Sequence, residues 1–206
     1  MIQGKKYYEG QFLDLPSPIK DSKFSLEKAL SLRKSVRQYR DVFLSEQEIA
    51  QILWAAYGFS NGRRVVPSAG AIYPLSIYLF ARKVEGLEAG VYRYFPKEEQ
   101  LSEPVFGDIS KEFFENTYGQ HFIVEAAAVL AIAVRLKDIW EKYGKDGNVY
   151  GYMEAGHVSQ NVYLQCVSLG VGTVAVGAFD EEGIRNLFNI SENELVLYLM
   201  PLGKPI

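Results

Sequence analysis

One stretch constrains the architecture more than any other. Ala155, Val158, Val162, Cys166 and Leu169 recur at steps of three and four, the period of a helix with one apolar stripe. The pattern predicts a helix over Asn148–Leu169 that stops at Gly170. The second constraint is Ala126–Val134, an unbroken apolar run. It reads as a strand buried on both faces and is too short to span a bilayer as a helix. Further strands are predicted at Leu75–Arg82, Gly90–Phe95, Val171–Val176 and Leu195–Pro201. Ser25 caps a helix carrying Leu26, Ala29 and Leu30. Ser45-Glu46-Gln47-Glu48 has the form of a capping box before Ile49, Ile52, Leu53 and Ala56, with Gly58 closing the helix. Phe106–Phe114, Lys137–Tyr143 and Asp180–Phe188 are also predicted helical. Residues 1–24 are polar and carry Pro16 and Pro18, which reads as an arm lying on something larger. No repeat or linker divides the chain. The expectation is one α+β domain over residues 1–206, with most strands late in the chain.

Charge and cysteine usage exclude several functions. The net charge is −3, whereas a nucleic-acid binder is usually basic. The single cysteine, Cys166, excludes a disulfide framework and a Cys-based metal cluster. His121 and His157 are the only histidines and are not in a His-Glu-x-x-His arrangement. Gly-x-Ser-x-Gly and the P-loop pattern are absent. Gly170-Val171-Gly172 follows a helix and opens a strand, the reverse of a dinucleotide-binding turn. No signal-peptide pattern opens the chain, so a cytoplasmic setting away from membranes is expected.

Against this mildly acidic background, Arg33-Lys34-Ser35-Val36-Arg37-Gln38-Tyr39-Arg40 stands out. If extended, it puts Arg33, Ser35 and Arg37 on one side. Two guanidinium forks with a hydroxyl between them suit a phosphate dianion. A solvated basic helix end has the same composition. Two further features belong with it. Pro67-Ser68-Ala69-Gly70 is a small-residue loop through which backbone can reach a ring edge, and Val176-Gly177 ends a strand. Together they describe a site for a flat, phosphorylated ring, a description that FMN fits.

Five blocks occur in order: Arg33 to Tyr39, Pro67 to Leu75, Gly90 to Tyr94, Gly156-His157 with Gln160-Asn161, and Leu169 to Gly177. This order resembles the nitroreductase superfamily, and the middle blocks resemble its SagB-type dehydrogenase branch. The resemblance runs from about residue 25 to the end. It implies a nitroreductase-like α+β fold, with a central, mostly antiparallel sheet flanked by helices and a long helix at a dimer interface. It also implies a homodimer with FMN between subunits and with the N-terminal arm on the partner. By position, Arg33, Lys34 and Ser35 match the grip on the FMN phosphate and ribityl chain. Arg37 matches the basic position at the pyrimidine edge. Pro67, Ser68, Ala69 and Gly70 match the loop along the flavin, and Val176 and Gly177 match the strand end near N5. No side chain is expected to be the catalytic group, because flavin N5 carries the chemistry.

The implied activity is hydride transfer from NAD(P)H through FMN to a small molecule such as a nitroaromatic or quinone. One alternative is oxidation of an azoline in a peptide, with Tyr73 and Tyr92 as candidate substrate-side groups, although aromatics beside strands are more often core. Another is flavin binding without turnover. Many relatives carry a basic residue beyond the last strand, where this sequence has Lys204.

Overall fold

A computed structural model describes residues 12–105 and 107–206. In chain order the strands are β1 (Phe12–Asp14), β2 (Phe59–Ser60), β3 (Arg63–Arg64), β4 (Leu75–Ala81), β5 (Gly90–Phe95), β6 (Gln100–Ser102), β7 (Ala128–Val134), β8 (Gly172–Thr173) and β9 (Leu195–Gly203). The helices are α1 (Leu26–Leu32), α2 (Glu46–Tyr57), α3 (Ser110–Asn116), α4 (His121–Glu125), α5 (Leu136–Tyr143), α6 (Asn148–Leu169) and α7 (Glu181–Leu187).

The local chemistry explains the boundaries. Ser25 accepts from the Lys28 amide at 3.2 Å and starts α1. Ser45 and Glu48 form the reciprocal capping box of α2, which satisfies two donors that a helix start leaves open. Asn61 and Gly62 both adopt positive φ, 51° and 74°, as a two-residue hairpin turn between β2 and β3 requires. Gly170 takes the left-handed conformation and ends α6.

Seven strands form one sheet in the order β1-β6-β5-β4-β7-β9-β8. Every neighbouring pair in it is antiparallel. All seven residues of β4 and all seven of β7 are buried, because helices cover both faces. On one face Ile77, Leu79, Leu130 and Ile132 pack with Ile52 and Leu53 of α2 and Val158 and Val162 of α6. On the other, Tyr78, Phe80, Val129 and Ala131 pack with Phe113, Ile123, Ile184 and Phe188 of the shorter helices. Fully burying one such valine or leucine is worth about 1.5–3 kcal/mol. The α6 stripe thus fixes that helix to the sheet, and α6 becomes the beam on which the candidate site is mounted.

Four expectations need correction. Strands are not concentrated late in the chain, since six of the nine precede residue 103. The segment expected to be helical from Phe106 begins its helix at Ser110, where Asp108 accepts from the Ser110 amide at 2.9 Å. Phe106 itself lies outside the described residues. The strand expected over Val171–Val176 shrinks to β8 and an isolated pairing of Val176 with Leu199. The hydrogen bonds between them leave the sheet: Thr173 O accepts from Val36 N, and Ala175 N donates to the Tyr163 hydroxyl. Tyr92 is fully buried and donates to Glu88 O at 2.6 Å. Burial pushes its hydroxyl pKa up to about 12, so Tyr92 is a core residue rather than a substrate-side one.

The described part of the N-terminal arm lies on its own chain. β1 pairs with β6, and the Gln51 side chain holds the backbone of Ile19 at 2.7 and 3.0 Å. Residues 1–11 lie outside the described residues.

Candidate functional site

The basic segment leaves α1 at Arg33, whose backbone turns to φ −57° and ψ 122°. It is laid against the turn after α6. Val36 N donates to Thr173 O at 2.9 Å, and the Val36 side chain presses on Gly172, where an added Cβ would stand 2.6 Å from it. Gly172 is therefore needed for the close approach. Tyr39 is buried and donates to Val36 O at 2.7 Å. With Val36 and Tyr39 turned inward, Lys34, Ser35 and Arg37 are exposed and Arg33 is half-buried.

The expected sharing of one side holds in part. The Arg33 guanidinium lies 5.2 Å from the centre of the Tyr163 ring, and Ser35 Oγ is 3.1 Å from the Tyr163 hydroxyl. Arg37 diverges, because the segment is not a regular strand. Its guanidinium lies over Phe122 of α4 at 5.9 Å. Among the described residues no carboxylate pairs with Arg33, Lys34 or Arg37. Lys204 is engaged elsewhere, with Glu48 and with Leu169 O.

The 175–178 segment lies next to this arm. Val176 uses both its N–H and its C=O on Leu199, at 2.9 and 3.0 Å. Its backbone donor is therefore spent inside the sheet. At Gly177 an added Cβ would meet nothing within 4 Å, so Gly177 presents open backbone there. Gln120, just before α4, donates to Ala178 O at 2.7 Å. Arg37 thus lies over α4, and Ala178 is held by the residue that precedes that helix.

The Pro67–Gly70 loop is built differently. Gly70, Ala71 and Tyr73 have φ of 60°, 55° and 54°. Two of these are not glycine and store backbone strain. Below the loop lies Glu154 of α6, which is 2% exposed. Tyr57 donates to it at 2.8 Å, and Ser68 lies close enough to lower its pKa. Burial raises the Glu154 pKa, against the lowering effect of Ser68, Tyr57, His157 and Arg64. Ser68 Oγ also accepts from Tyr73 N at 2.9 Å. Arg64 donates to Tyr57 O at 2.6 Å and stacks on the rings of Tyr57 and Phe59 at 4.3 and 4.4 Å. Lys142 of α5 donates to Gly70 O at 3.2 Å. A cleft of about 500 Å³ opens beside the loop, lined by Phe59, Arg63, Arg64, Pro67 and Tyr73.

The structure therefore brings Arg33–Val36 together with Gly172–Ala175, by Val36 N to Thr173 O and through the Tyr163 hydroxyl. Among the described residues no hydrogen bond joins Pro67–Gly70 to either. The loop belongs to the Glu154 level of α6, nine residues or about 13 Å along the helix from Tyr163.

The donor set fits a phosphorylated ring on a property of this chain. Thr173 Oγ1 is buried without a hydrogen-bond partner. The residue lines a cavity of about 140 Å³ with Lys34, Val36, Tyr163 and Cys166. A buried hydroxyl left without a partner calls for an explanation, and an anion held by Lys34, which pairs with no carboxylate among the described residues, supplies one.

Sequence reasoning missed Tyr163, Thr173, Glu154 and Lys142. One signal was available: Glu154 stands four residues before Val158 and eight before Val162, so a carboxylate interrupts the apolar stripe. Tyr163 lies beside that stripe and had no periodic signal to mark it. Asn161 proves a satisfied amide, donating to Ala55 O at 3.1 Å.

Comparison with known proteins adds an independent line. The Nitroreductase family pattern matches residues 30–204. A protein of Methanocaldococcus jannaschii, provisionally named a nitroreductase, is 44% identical over 183 residues, 88% of this chain and 91% of its own length. A protein of Archaeoglobus fulgidus, provisionally named an NADH dehydrogenase/NAD(P)H nitroreductase, is 27% identical over 86% of this chain and 84% of its own length. A crystal structure from Anabaena variabilis, also provisionally titled a nitroreductase, superposes with a TM-score of 0.86 at 27% identity. The match covers 100% of this chain but 45% of that longer one.

Proposed function

The chain belongs to the nitroreductase family and is an oxidoreductase, and from that premise we propose that it binds FMN and passes electrons from NAD(P)H to a small acceptor such as a nitroaromatic or quinone. The observation that carries this reading is the cationic arm, which has no carboxylate partner among the described residues, beside the orphaned Thr173 hydroxyl. FMN, when bound, supplies the two-electron carrier that no side chain provides.

The chain's own groups do the rest. Arg33, Lys34 and Ser35 hold the phosphate and ribityl chain with charge-assisted hydrogen bonds. Arg37 places a fixed positive charge at the ring edge, which makes negative charge there cheaper. Gly177 lets backbone approach the ring closely, while Val176 anchors it to β9. Pro67, Ser68, Ala69 and Gly70 lie along the ring, held in shape from beneath by Glu154 and Lys142. The cleft by Phe59, Arg63 and Tyr73 admits the small-molecule substrates.

Within one chain the loop stands apart from the phosphate arm, so the site is completed by a second copy. Leu26, Leu30 and Leu32 of α1 are 60%, 52% and 53% exposed, and Val149, Tyr152 and Met153 of α6 are 42%, 46% and 56% exposed. An apolar face of this kind calls for a partner, and a homodimer covers it. Among the described residues no helix is long and apolar enough to cross a membrane, and we assign the enzyme to the cytoplasm.

The test is the visible spectrum of the purified protein with and without NAD(P)H in the absence of oxygen. A yellow protein that bleaches on adding the nicotinamide supports the proposal. A colourless protein that takes up no added FMN ends it.

A further inference from the structure

We propose that Tyr163 is a positioning residue. Its hydroxyl ties the phosphate grip to the ring-side segment, so that one oxygen governs both how tightly FMN is held and how its ring is tuned. The inference rests on the FMN reading above and assigns a role to a residue outside the recognised blocks.

The Tyr163 hydroxyl has two partners from opposite ends of the site. It accepts the Ala175 N–H at 2.8 Å and lies 3.1 Å from Ser35 Oγ. A phenol carries one proton and two lone pairs. With one lone pair taken by Ala175, the phenol proton is free to go to Ser35 Oγ. Ser35 then keeps its own proton for an external acceptor. The arrangement thus presets Ser35 as a donor, the polarity that a phosphate oxygen requires. Accepting from Ala175 also strengthens the phenol as a donor, since linked hydrogen bonds polarise one another. The ring contributes separately, because the Arg33 guanidinium sits 5.2 Å from its centre and a cation over a tyrosine face is attracted.

The mount is rigid. Tyr163 lies between fully buried Val162 and nearly fully buried Cys166 on α6. Ala175 directly precedes Val176, whose backbone is pinned to Leu199 on both sides. A shift of the phenol therefore moves Ser35 at one end and the 175–177 backbone at the other. Val36 N to Thr173 O is a second tie between the same two segments, so losing the hydroxyl should loosen the site without dismantling it.

The experiment compares wild type, Tyr163→Phe, Ser35→Ala and the double variant. Each is titrated with FMN and with riboflavin, and the midpoint potential of the bound flavin is measured. Wild type should prefer FMN to riboflavin. Tyr163→Phe keeps the ring and should lower that preference by up to about tenfold, the upper value of one neutral hydrogen bond. It should also shift the midpoint potential, which a role confined to packing would not. Exposed Ser35→Ala should lower the preference by a similar factor, and the double variant should lose no more than the larger single loss. The proposal is overturned if Tyr163→Phe leaves both preference and potential at wild-type values, or if the two losses add in full. A wild type that binds neither flavin overturns the FMN reading itself, and that result is visible before any variant is made.

Discussion

Near Tyr163, α6 supports one half-buried and one exposed cation, Arg33 and Lys34, with no carboxylate paired to them among the described residues. Near Glu154, nine residues toward the helix start, it supports a buried carboxylate that accepts from Tyr57, a half-buried guanidinium that donates to Tyr57 O, and the Ser68 hydroxyl, which accepts from Tyr73 N. The same helix therefore carries an open set of charges at one level and a closed set at the other. An open set contributes little to folding, because exposed charges are already well solvated. A closed set contributes to folding and has no bond to spare for a ligand. The first region is suited to capturing an anion, and the second to holding a loop in a strained shape that it would not keep alone.

Substitutions test this division. The largest effect on folding is expected from Glu154→Ala. It leaves the buried Tyr57 O–H without its acceptor beside an empty space and should cost about 2–4 kcal/mol, read as a lowered urea midpoint. A loss below about 0.5 kcal/mol would mean that the set is not closed. Arg33→Ala should show the reverse profile: FMN affinity falls by about 10–100-fold, while the urea midpoint barely moves. Arg37→Ala should retain more flavin than Arg33→Ala but lower its midpoint potential, since it removes a positive charge that favours the reduced ring.

The pH dependence should also separate the two levels. Burial raises the Glu154 pKa, so the folded chain holds that proton more tightly than the unfolded one. The resulting stability is present below the ordinary carboxylate pKa and is lost as pH climbs through the raised value. Glu154→Gln cannot titrate. The stability of wild type relative to Glu154→Gln should therefore fall as pH rises across that window in thermal melts, and a constant difference would contradict the shift. The smallest effect is expected from Lys204→Ala. It breaks a partly exposed pair with Glu48 and should cost about 1 kcal/mol or less, with no change in FMN affinity. A clear loss of FMN would move Lys204 into the open set.

Much of the frame was legible in the sequence. The predicted bounds of α6 match those observed, because stripe and stop agree, and the capping box of α2 is a local pattern with a local consequence. β1 and β6 were not legible: at three residues each they carry no measurable alternation. The break after β8 was hidden because its hydrogen bonds go to Val36 and to Tyr163, residues far away in sequence. At the site, the charges of the basic segment were readable, but their directions were not. Alternation put Arg37 beside Arg33, and tertiary packing sent it to Phe122 instead. The closed set at Glu154 draws on α2, β3, the loop and α6, which no single window of sequence contains.

Tyr39 pairs with Pro205, and Arg40 N donates to Lys204 O at 2.8 Å. These contacts close a loop of more than 160 residues. Long loops are the last to be worth closing, since their entropy must be overcome before the contact returns anything. On that ground the contacts of Tyr39 and Arg40 are expected to form late in folding. If the arm holds FMN as proposed, a variant that loosens the Tyr39–Pro205 pairing should speed FMN release while leaving the urea midpoint of the core nearly unchanged.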